Sequence, residues 1–378
     1  MITEKQLRDT VNAYKEKMIL PSAPLRPMWN RENFVCKKQP KWNYIDACMI
    51  KAVMMLNEVC ADSRLAEYAE CFTNAYVAED GTIPTMKAED FNLDNINGGK
   101  NLLQLYRITG NERYSLAFEN LVSGQLAAQP RLMCGSFFHK AIYENQMWLD
   151  GAYMALPFMT EYSLISDNKE MLEDVCIQLE NIRNLMRDGN TGLYYHAYDE
   201  SRRQKWADKK TGLSPNFWLR AMGWLCAGLA DICELAPTDS RLYGISAEML
   251  ADVLDALAMK TTDDGMLLQL PALNISGNYP ETSGTLLFAY SALKAARLGI
   301  SGSRIRNAGE KAFSCTAEKF IMLGENVPVL RNICLSAGLG GSPYRDGSAE
   351  YYLNERITEN DAKGIAPYIM TYTEFLRI

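Results

Sequence analysis

Two aspartates stand where a long loop gives way to an apolar helix, and carboxylates so placed can exchange protons with a substrate. Asp150 lies in NQMWLDGAYMALPF (145–158) and Asp94 in FNLDNINGGKNLLQLYRITG (91–110). Each could instead be only a helix N-cap, a common role of aspartate at such a position. Apolar neighbours are expected to raise the pKa of Asp150, and a second carboxylate nearby would raise it further. The pair is therefore a candidate for general acid–base catalysis.

A second candidate is the stretch YYHAYDESRRQKWADKKTGLSPNFWLRAMGW (194–224), where aromatic and basic side chains are concentrated. It holds His196, Trp206, Trp218, Arg220 and Trp224. Aromatic faces can stack on sugar rings, and arginine pairs with a carboxylate through two parallel hydrogen bonds. The combination predicts a site for an acidic saccharide. The tryptophans could equally be core residues of an apolar helix, and the arginine part of a solvated face.

Weaker candidates lie elsewhere in the chain. Trp42, Tyr44 and Asp46 open a further helix, while His139 and Arg345 lie in loops. Taken alone, a satisfied loop histidine and a turn salt bridge are the simpler explanations of the last two. The chain has only two histidines, and none of its ten cysteines forms a CxxC pair. No metal centre and no cofactor are therefore predicted.

Composition excludes several classes of protein. The chain has 378 residues, of which 48% are hydrophobic and 22% charged, with a formal net charge of −7. That composition is typical of a globular protein and not of a disordered one. A mildly acidic chain has no basic surface for nucleic acid or anionic membrane. The N-terminus lacks an apolar stretch, so we expect no signal peptide but a cytoplasmic protein with reduced cysteines.

The elements that must position these residues are helices. Apolar periodicity predicts about twelve of them, over residues 4–18, 43–59, 62–77, 94–108, 112–127, 150–163, 168–186, 217–234, 241–258, 283–298, 303–321 and 361–376. Only residues 193–200 and 265–270 suggest short strands. We interpret the whole chain, 1–378, as a single all-α domain, because no linker divides it.

The predicted connections alternate between short and long. Short ones are typical of antiparallel helix hairpins. If successive helices run antiparallel, every long loop emerges at the same end, together with the N-termini of the even-numbered helices. Long loops gathered on a rigid scaffold often build a site. The helices can close as an inner ring within an outer ring or form an open solenoid, and the pattern alone does not decide.

Four segments resemble a known enzyme family. WLDGAYMALPF, HAYDESRRQKWADKKTGLSPNFWLRAMGW, GLGGSPYRDGSAEYY and NDAKGIAPYIM are similar to the unsaturated rhamnogalacturonyl hydrolases, glycoside hydrolase family 105, which are related to the unsaturated glucuronyl hydrolases of family 88. The similarity runs from about Trp42 to the last helix. It implies an (α/α)6 six-hairpin barrel, in agreement with the helix pattern.

The resemblance also implies roles for individual residues. Asp150 corresponds to the catalytic acid/base, and Asp94 to the aspartate that holds the substrate ring and tunes it. The remaining candidates correspond to substrate contacts, namely Trp42, Tyr44, His139, His196, Trp218, Arg220, Trp224 and Arg345. Leu219 and Ala221 depart from the glycine or serine that other members often carry, which leaves the fine substrate preference open.

The reaction implied is hydration of a double bond in a small acidic oligosaccharide. Such an enzyme removes the Δ4,5-unsaturated uronic acid left by a polysaccharide lyase, with unsaturated rhamnogalacturonan disaccharide as the first choice of substrate. Glycosaminoglycan fragments, an inverting glycosidase or a sugar epimerase on the same scaffold are alternatives. A helical-repeat binding scaffold is the non-enzymatic alternative, although no repeated signature is visible. The oligomeric state is not predicted.

Overall fold

The computed structural model describes residues 2–378, with side chains for all of them but 34–36. Its α-helices are, in chain order, α1 (Glu4–Tyr14), α2 (Arg31–Cys36), α3 (Tyr44–Cys60), α4 (Ser63–Asn74), α5 (Leu93–Ile96), α6 (Gly99–Thr109), α7 (Glu112–Asn120), α8 (Asp150–Ser166), α9 (Lys169–Met186), α10 (Leu219–Leu235), α11 (Arg241–Ala258), α12 (Thr282–Arg297), α13 (Ser303–Lys319), α14 (Ala349–Asn354) and α15 (Ala362–Phe375).

Six helical units form a closed inner ring. In ring order they are α3, the consecutive pair α5–α6, α8, α10, α12 and α15, and α15 packs back on α3. An outer helix packs on each unit: α4 on α3, α7 on α6, α9 on α8, α11 on α10, α13 on α12 and α1 on α15. The molecule is therefore an (α/α)6 barrel, as the resemblance predicted, and not an open solenoid.

The two rings differ in how their surfaces are buried. Nearly every residue of α10 and α15 is buried, as expected for helices that are apolar all round. The outer helix α9 buries one stripe, which includes Val175, Leu179 and Ile182. Burial on all sides holds the inner helices in place, so side chains at their N-terminal ends have a rigid support.

The predicted helices are all found, with three differences. The region 94–108 is interrupted between α5 and α6, 4–18 continues beyond α1 as a π-turn, and 112–127 continues beyond α7 as a π-turn and a 3-10 turn. Two short helices, α2 and α14, lie inside long loops and have too few turns for periodicity to reveal them. Gly110 ends α6 with φ of 67°, and Asn111 caps α7, both as the sequence indicates.

Short strands occur in the long loops. They are β1 (Gln146–Trp148), β2 (Ala197–Asp199), β3 (Ile321–Met322), β4 (Val329–Leu330), β5 (Ile333–Cys334) and β6 (Ile357–Thr358). Three antiparallel pairs result, β1 with β2, β3 with β4 and β5 with β6. The strand expected in 193–200 is confirmed as β2, whereas 265–270 makes only a single bridge from Leu268 to Pro280. Among the described residues, no helix is long and apolar enough to cross a membrane.

Candidate active site

A cavity of about 250 Å³ opens at the end of the barrel where the inner helices begin. The long loops meet at this end, as the alternation of connection lengths predicts. Six of the candidate residues line the cavity, namely Trp42, Tyr44, Asp94, His139, Asp150 and Arg345. Lys38, Lys41, Lys140, Tyr143 and Trp148 line it as well. The fold therefore brings together residues that are more than 300 positions apart in the sequence.

Asp150 is the first residue of α8 and does not cap it. The N-cap position belongs to Leu149, which makes no side-chain cap. The Leu149 backbone N–H donates to the carbonyl of His196 at 2.9 Å, next to the pairing of β1 with β2. This strand pair joins two loops that are distant in sequence, and it sets the imidazole of His196 beside the Asp150 carboxylate. The N-cap alternative for Asp150 is thereby wrong.

The pKa of Asp150 is shifted in the direction opposite to the one expected. His196 Nε2 lies 3.2 Å from Asp150 Oδ2, and Tyr352 OH lies 2.7 Å from His196 Nδ1. Burial raises the pKa of Asp150, but the close contact with His196, together with smaller effects of His139 and Arg220, outweighs burial, so that the pKa is lowered. The expectation of a raised pKa is wrong for the ligand-free protein, because the sequence placed apolar neighbours around Asp150 and not the imidazole.

Asp94 forms a second charged group on the cavity wall. It is the second residue of α5, and the cap is Asn92, whose side chain accepts from the Asp94 N–H. Lys140 Nζ donates to Asp94 Oδ2 at 2.5 Å, and His139 Nε2 lies 3.5 Å from Asp94 Oδ1. Burial lowers the pKa of His139 to about 4 despite the nearby carboxylates. At neutral pH the imidazole is therefore uncharged, and Lys140 is the cation that holds Asp94.

Stacked aromatic rings form another part of the wall. The rings of Tyr143 and Trp148 stack with centroids 4.5 Å apart, and His139 stacks on Trp148 at 5.2 Å. Tyr143, Trp148 and Lys140 were not among the predicted site residues. Trp148 carries a detectable signal, since it lies two residues before Asp150 on β1, but Lys140 and Tyr143 lie in an irregular loop that has no periodicity.

Trp42 and Tyr44 lie at the start of α3, as predicted. Trp42 Nε1 donates to the carbonyl of Asn95 at 2.8 Å, and its ring covers Gly98, where a Cβ would lie 2.1 Å from the ring. The glycine therefore makes room for the indole. Asp46 is buried and accepts from Trp29, Asn30 and Asn43. Burial raises the pKa of Asp46 to about 6 in spite of these bonds.

Trp218, Arg220 and Trp224 do not line the cavity but lie behind its wall. All three are at most 2% exposed. Arg220 Nη1 donates to Ser283 Oγ at 3.3 Å and to the carbonyl of Cys334. These side chains are therefore buried in the structure without ligand, and their contact with the sugar stays a prediction. The guanidinium binds the loop that packs on α10 and α12, so the alternative of a solvated face is wrong for Arg220.

His196 also stays out of the cavity lining, but it touches Asp150 directly. Trp218 packs against the His196 ring with centroids 4.8 Å apart, so this tryptophan supports the histidine from behind. Arg345 lines the cavity and donates to the carbonyls of Gly340 and Leu339, which ties the loop to itself. Within residues 2–378, no group of three or more His, Cys, Asp or Glu side chains is arranged to hold a metal ion.

Comparison with known proteins agrees with this arrangement. The family model described as Glycosyl Hydrolase Family 88 matches residues 26–378. A solved family 105 glycoside hydrolase from C. acetobutylicum ATCC 824 has a TM-score of 0.88 and 30% identity, with both chains fully covered. Protein Atu3128 of Agrobacterium fabrum is 39% identical over 231 residues, 59% of this chain and 98% of its own. The unsaturated rhamnogalacturonyl hydrolase YesR of Bacillus subtilis is 25% identical over 225 residues, 58% and 61% of the two chains.

With these matches, the molecule is a glycoside hydrolase of the unsaturated uronyl hydrolase type, a class that acts on oligosaccharides. The solved family 105 hydrolase shares the helical barrel over its whole length. Within it, the chain belongs to the glycosyl hydrolase family 88 and 105 group, which confirms the family that the four sequence segments predict.

Proposed function

We propose that the protein removes the Δ4,5-unsaturated uronic acid from the nonreducing end of lyase-generated oligosaccharides, with unsaturated rhamnogalacturonan disaccharide as the preferred substrate. The observation that carries the proposal is the position of Asp150 in a cavity that also contains Asp94 and a stacked aromatic wall. Four cationic side chains line the cavity, those of Lys38, Lys41, Lys140 and Arg345, which suits an acidic sugar. The likeness to the rhamnogalacturonyl enzyme supports the choice of substrate.

The reaction is hydration of a vinyl ether rather than attack at the anomeric carbon. Asp150 donates its proton to C4, and positive charge develops at C5 and the ring oxygen. The carboxylate, now ionised, accepts a proton from the water that attacks C5. The hemiketal formed at C5 opens, and the bond to the leaving sugar breaks. One group therefore serves first as acid and then as base, and the spacing rule for retaining and inverting glycosidases does not apply.

The surroundings of Asp150 fit both halves of this cycle. Before substrate binds, the contact with His196 keeps the pKa of Asp150 low. A bound uronate adds a negative charge and removes water, and both effects favour the protonated acid. After proton transfer, the same imidazole stabilises the carboxylate. Tyr352 OH, 2.7 Å from His196 Nδ1, fixes the orientation of the ring. Acid–base help of this kind contributes roughly 10²–10⁴-fold, so positioning must supply the rest.

The test of the catalytic residue is Asp150→Asn, a nearly isosteric change. We expect turnover of the unsaturated disaccharide to fall by at least about 10²–10⁴-fold, with an unchanged unfolding temperature. The matched control is Asp167→Asn at the far end of α8, an exposed residue with φ of 51° that asparagine adopts readily. Near-normal turnover of the Asp150 variant would remove it from the mechanism. Asp94→Asn should lower the rate or move the pH profile, and no change in either would leave it a structural residue.

The substrate is tested by following the loss of ultraviolet absorbance of the conjugated double bond. Unsaturated disaccharides from rhamnogalacturonan, pectin and glycosaminoglycan are compared side by side, together with their saturated counterparts. We expect the rhamnogalacturonan disaccharide to have the highest kcat/KM and the saturated sugars to remain intact. Cleavage of saturated sugars would instead indicate a glycosidase that acts at the anomeric carbon. Preference for a glycosaminoglycan fragment would change the assigned substrate and leave the reaction as proposed.

A further inference from the structure

A second cavity, of about 340 Å³, opens at the opposite end of the barrel, where the inner helices end. It shares no lining residue with the candidate active site. We call it the lower cavity. Residues of α3, α6, α8, α10 and α12 line it, together with Arg377 just after α15. Its polar lining is mostly charged, with both signs present.

The charges at the rim of the lower cavity neutralise one another. Arg107 pairs with Glu161, and Arg377 pairs with Glu58. Glu234 forms ion pairs with both Lys294 of α12 and Arg297. These pairs need no ligand, and most of them are partly open to water. A site for a ligand must therefore be sought deeper in the cavity.

The inner end of the lower cavity has more cations than carboxylates. Asp231 is 4% exposed and accepts from Lys294 Nζ at 2.9 Å and from Tyr290 OH at 2.5 Å. Lys51 also pairs with Asp231. Asp231 therefore pairs with two ammonium groups, of which Lys294 also has Glu234 as a partner. The third lysine at this depth, Lys100, makes no contact with Asp231.

Lys100 is buried without a carboxylate partner. It is 8% exposed, and no Asp or Glu lies within 4.0 Å of its Nζ among residues 2–378. Its Nζ donates to the Tyr153 carbonyl at 3.1 Å and lies 3.6 Å from the Tyr153 ring centroid. Burial and the charge of Lys51 lower the pKa of Lys100 to about 7. A buried ammonium that is neither solvated nor paired is costly, and an anion in the cavity would remove that cost.

We propose that the lower cavity binds a small oxyanion, with Lys100 and Lys51 as its cationic ligands. The inner helices end around this cavity, and their C-terminal partial charges disfavour anions at the rim. That influence fades within the last turn of a helix. Lys51 lies nine residues before the end of α3, and Lys100 nine residues before the end of α6, so an anion between them avoids it.

The chemistry of the ligand is a carboxylate or a phosphate group. The volume of the lower cavity accommodates inorganic phosphate or a single sugar acid, and it lies at the small end of the range for ligand sites. These two sources offer the same oxygen atoms to the lysines, so the experiment uses inorganic phosphate and D-glucuronate as separate probes. Chloride keeps the ionic strength constant in every sample.

The test measures the chemical reactivity of individual lysines. Wild-type protein is treated with formaldehyde and cyanoborohydride at pH 7.5, and methylation of each lysine is followed by mass spectrometry. We expect phosphate, glucuronate or both to slow methylation of Lys100 by at least about tenfold, because a bound anion covers the amine and favours its charged form. Exposed Lys5 is the internal control and should react equally in all samples. Equal methylation of Lys100 with and without each probe overturns the proposal, and so does protection confined to Lys140 in the active site.

A variant gives an independent measurement. Calorimetric titration of Lys100→Met with the protecting probe should show binding weaker by about tenfold or more, the usual cost of one charge-assisted hydrogen bond. Lys5→Met is the matched control and should bind as the wild type does. Unchanged affinity in the Lys100 variant contradicts the proposal. If that variant does not fold, the methylation experiment on the wild-type protein still decides. Protection by phosphate alone or by glucuronate alone supports the site and identifies the source.

Discussion

The position of the Trp42 indole depends on the missing side chain of Gly98, and Gly98→Ala tests this dependence. A Cβ on residue 98 would lie 2.1 Å from Trp42 Cζ2, whereas ordinary van der Waals contact begins at 3.4 Å. The ring must therefore withdraw by about 1.3 Å, the difference between these two distances. Such a movement breaks the 2.8 Å hydrogen bond from Trp42 Nε1 to Asn95 and pushes the indole into the cavity.

The expected effect on stability is smaller than the effect on activity. Overpacking of this kind costs about 1–3 kcal/mol. Part of it is offset by about 0.4–1 kcal/mol, because alanine restricts the unfolded chain and the backbone of Gly98, with φ of −70°, accepts alanine. The net loss of stability is therefore about 0–3 kcal/mol. A displacement of roughly 1 Å at a residue that positions substrate costs about 10²-fold in rate, and we expect kcat/KM to fall by that amount.

The assay combines kcat/KM on the unsaturated disaccharide with urea unfolding. The control is Gly244→Ala in the first turn of α11, where a Cβ would meet nothing within 4 Å. That substitution should raise stability by up to about 1 kcal/mol and leave activity unchanged. The reasoning is refuted if Gly98→Ala behaves like Gly244→Ala, with full activity and higher stability. Trp42 would then owe its position to other contacts.

Three further changes test the charges that the structure describes. His196→Gln removes the main contact that lowers the pKa of Asp150 and opposes burial, so the basic limb of the kcat/KM profile should move to higher pH; a shift to lower pH, or none, contradicts the role assigned to His196. The pKa of Asp46 is raised to about 6, so the folded protein binds a proton at Asp46 more tightly than the unfolded chain does. The stability that this protonation contributes is fully present below pH ~4 and is lost as pH rises through ~6. Urea unfolding should show the wild type losing about 3 kcal/mol relative to Asp46→Asn between pH 4 and 7, and parallel curves would argue against it. Asp231→Asn removes the carboxylate partner of Lys51 and one of the two carboxylate partners of Lys294 and should destabilise the protein by about 3–5 kcal/mol, whereas exposed Asp239→Asn should change stability by less than about 0.5 kcal/mol.

The helices of the barrel were predictable because the apolar pattern along each helix reflects which of its faces are buried. Inner helices such as α10 are apolar on every side, while outer helices such as α9 alternate, and loop lengths set which ends meet. Closure into a ring was not predictable from periodicity, since packing of α15 on α3 joins parts of the chain some 300 residues apart. The resemblance supplied it. The break between α5 and α6 was missed, although Gly98 and Gly99, which lie at the break, are poor helix formers.

The candidate site also has some features that follow from local sequence and others that depend on long-range contacts. The positions of Asp94 and Asp150 follow from helix starts, which are local features of the sequence. The depth of Trp218, Arg220 and Trp224 does not, because a tryptophan beside a loop has the same sequence signal whether it faces a cavity or the core. The lowered pKa of Asp150 depends on β1 pairing with β2, a long-range contact that brings in His196. Apolar neighbours along the sequence therefore gave the wrong direction of the shift.

The seam between α15 and α3 has a consequence for synthesis of the protein. Helix α3 is made early and α15 last, so during translation the inner faces of α3 and α12 wait without their partner. A hydrophobic surface that stays uncovered while hundreds of residues are added is prone to wrong associations. The ring can close only after α15 has left the ribosome. Loss of α15 alone would reopen a ring whose other five units are intact.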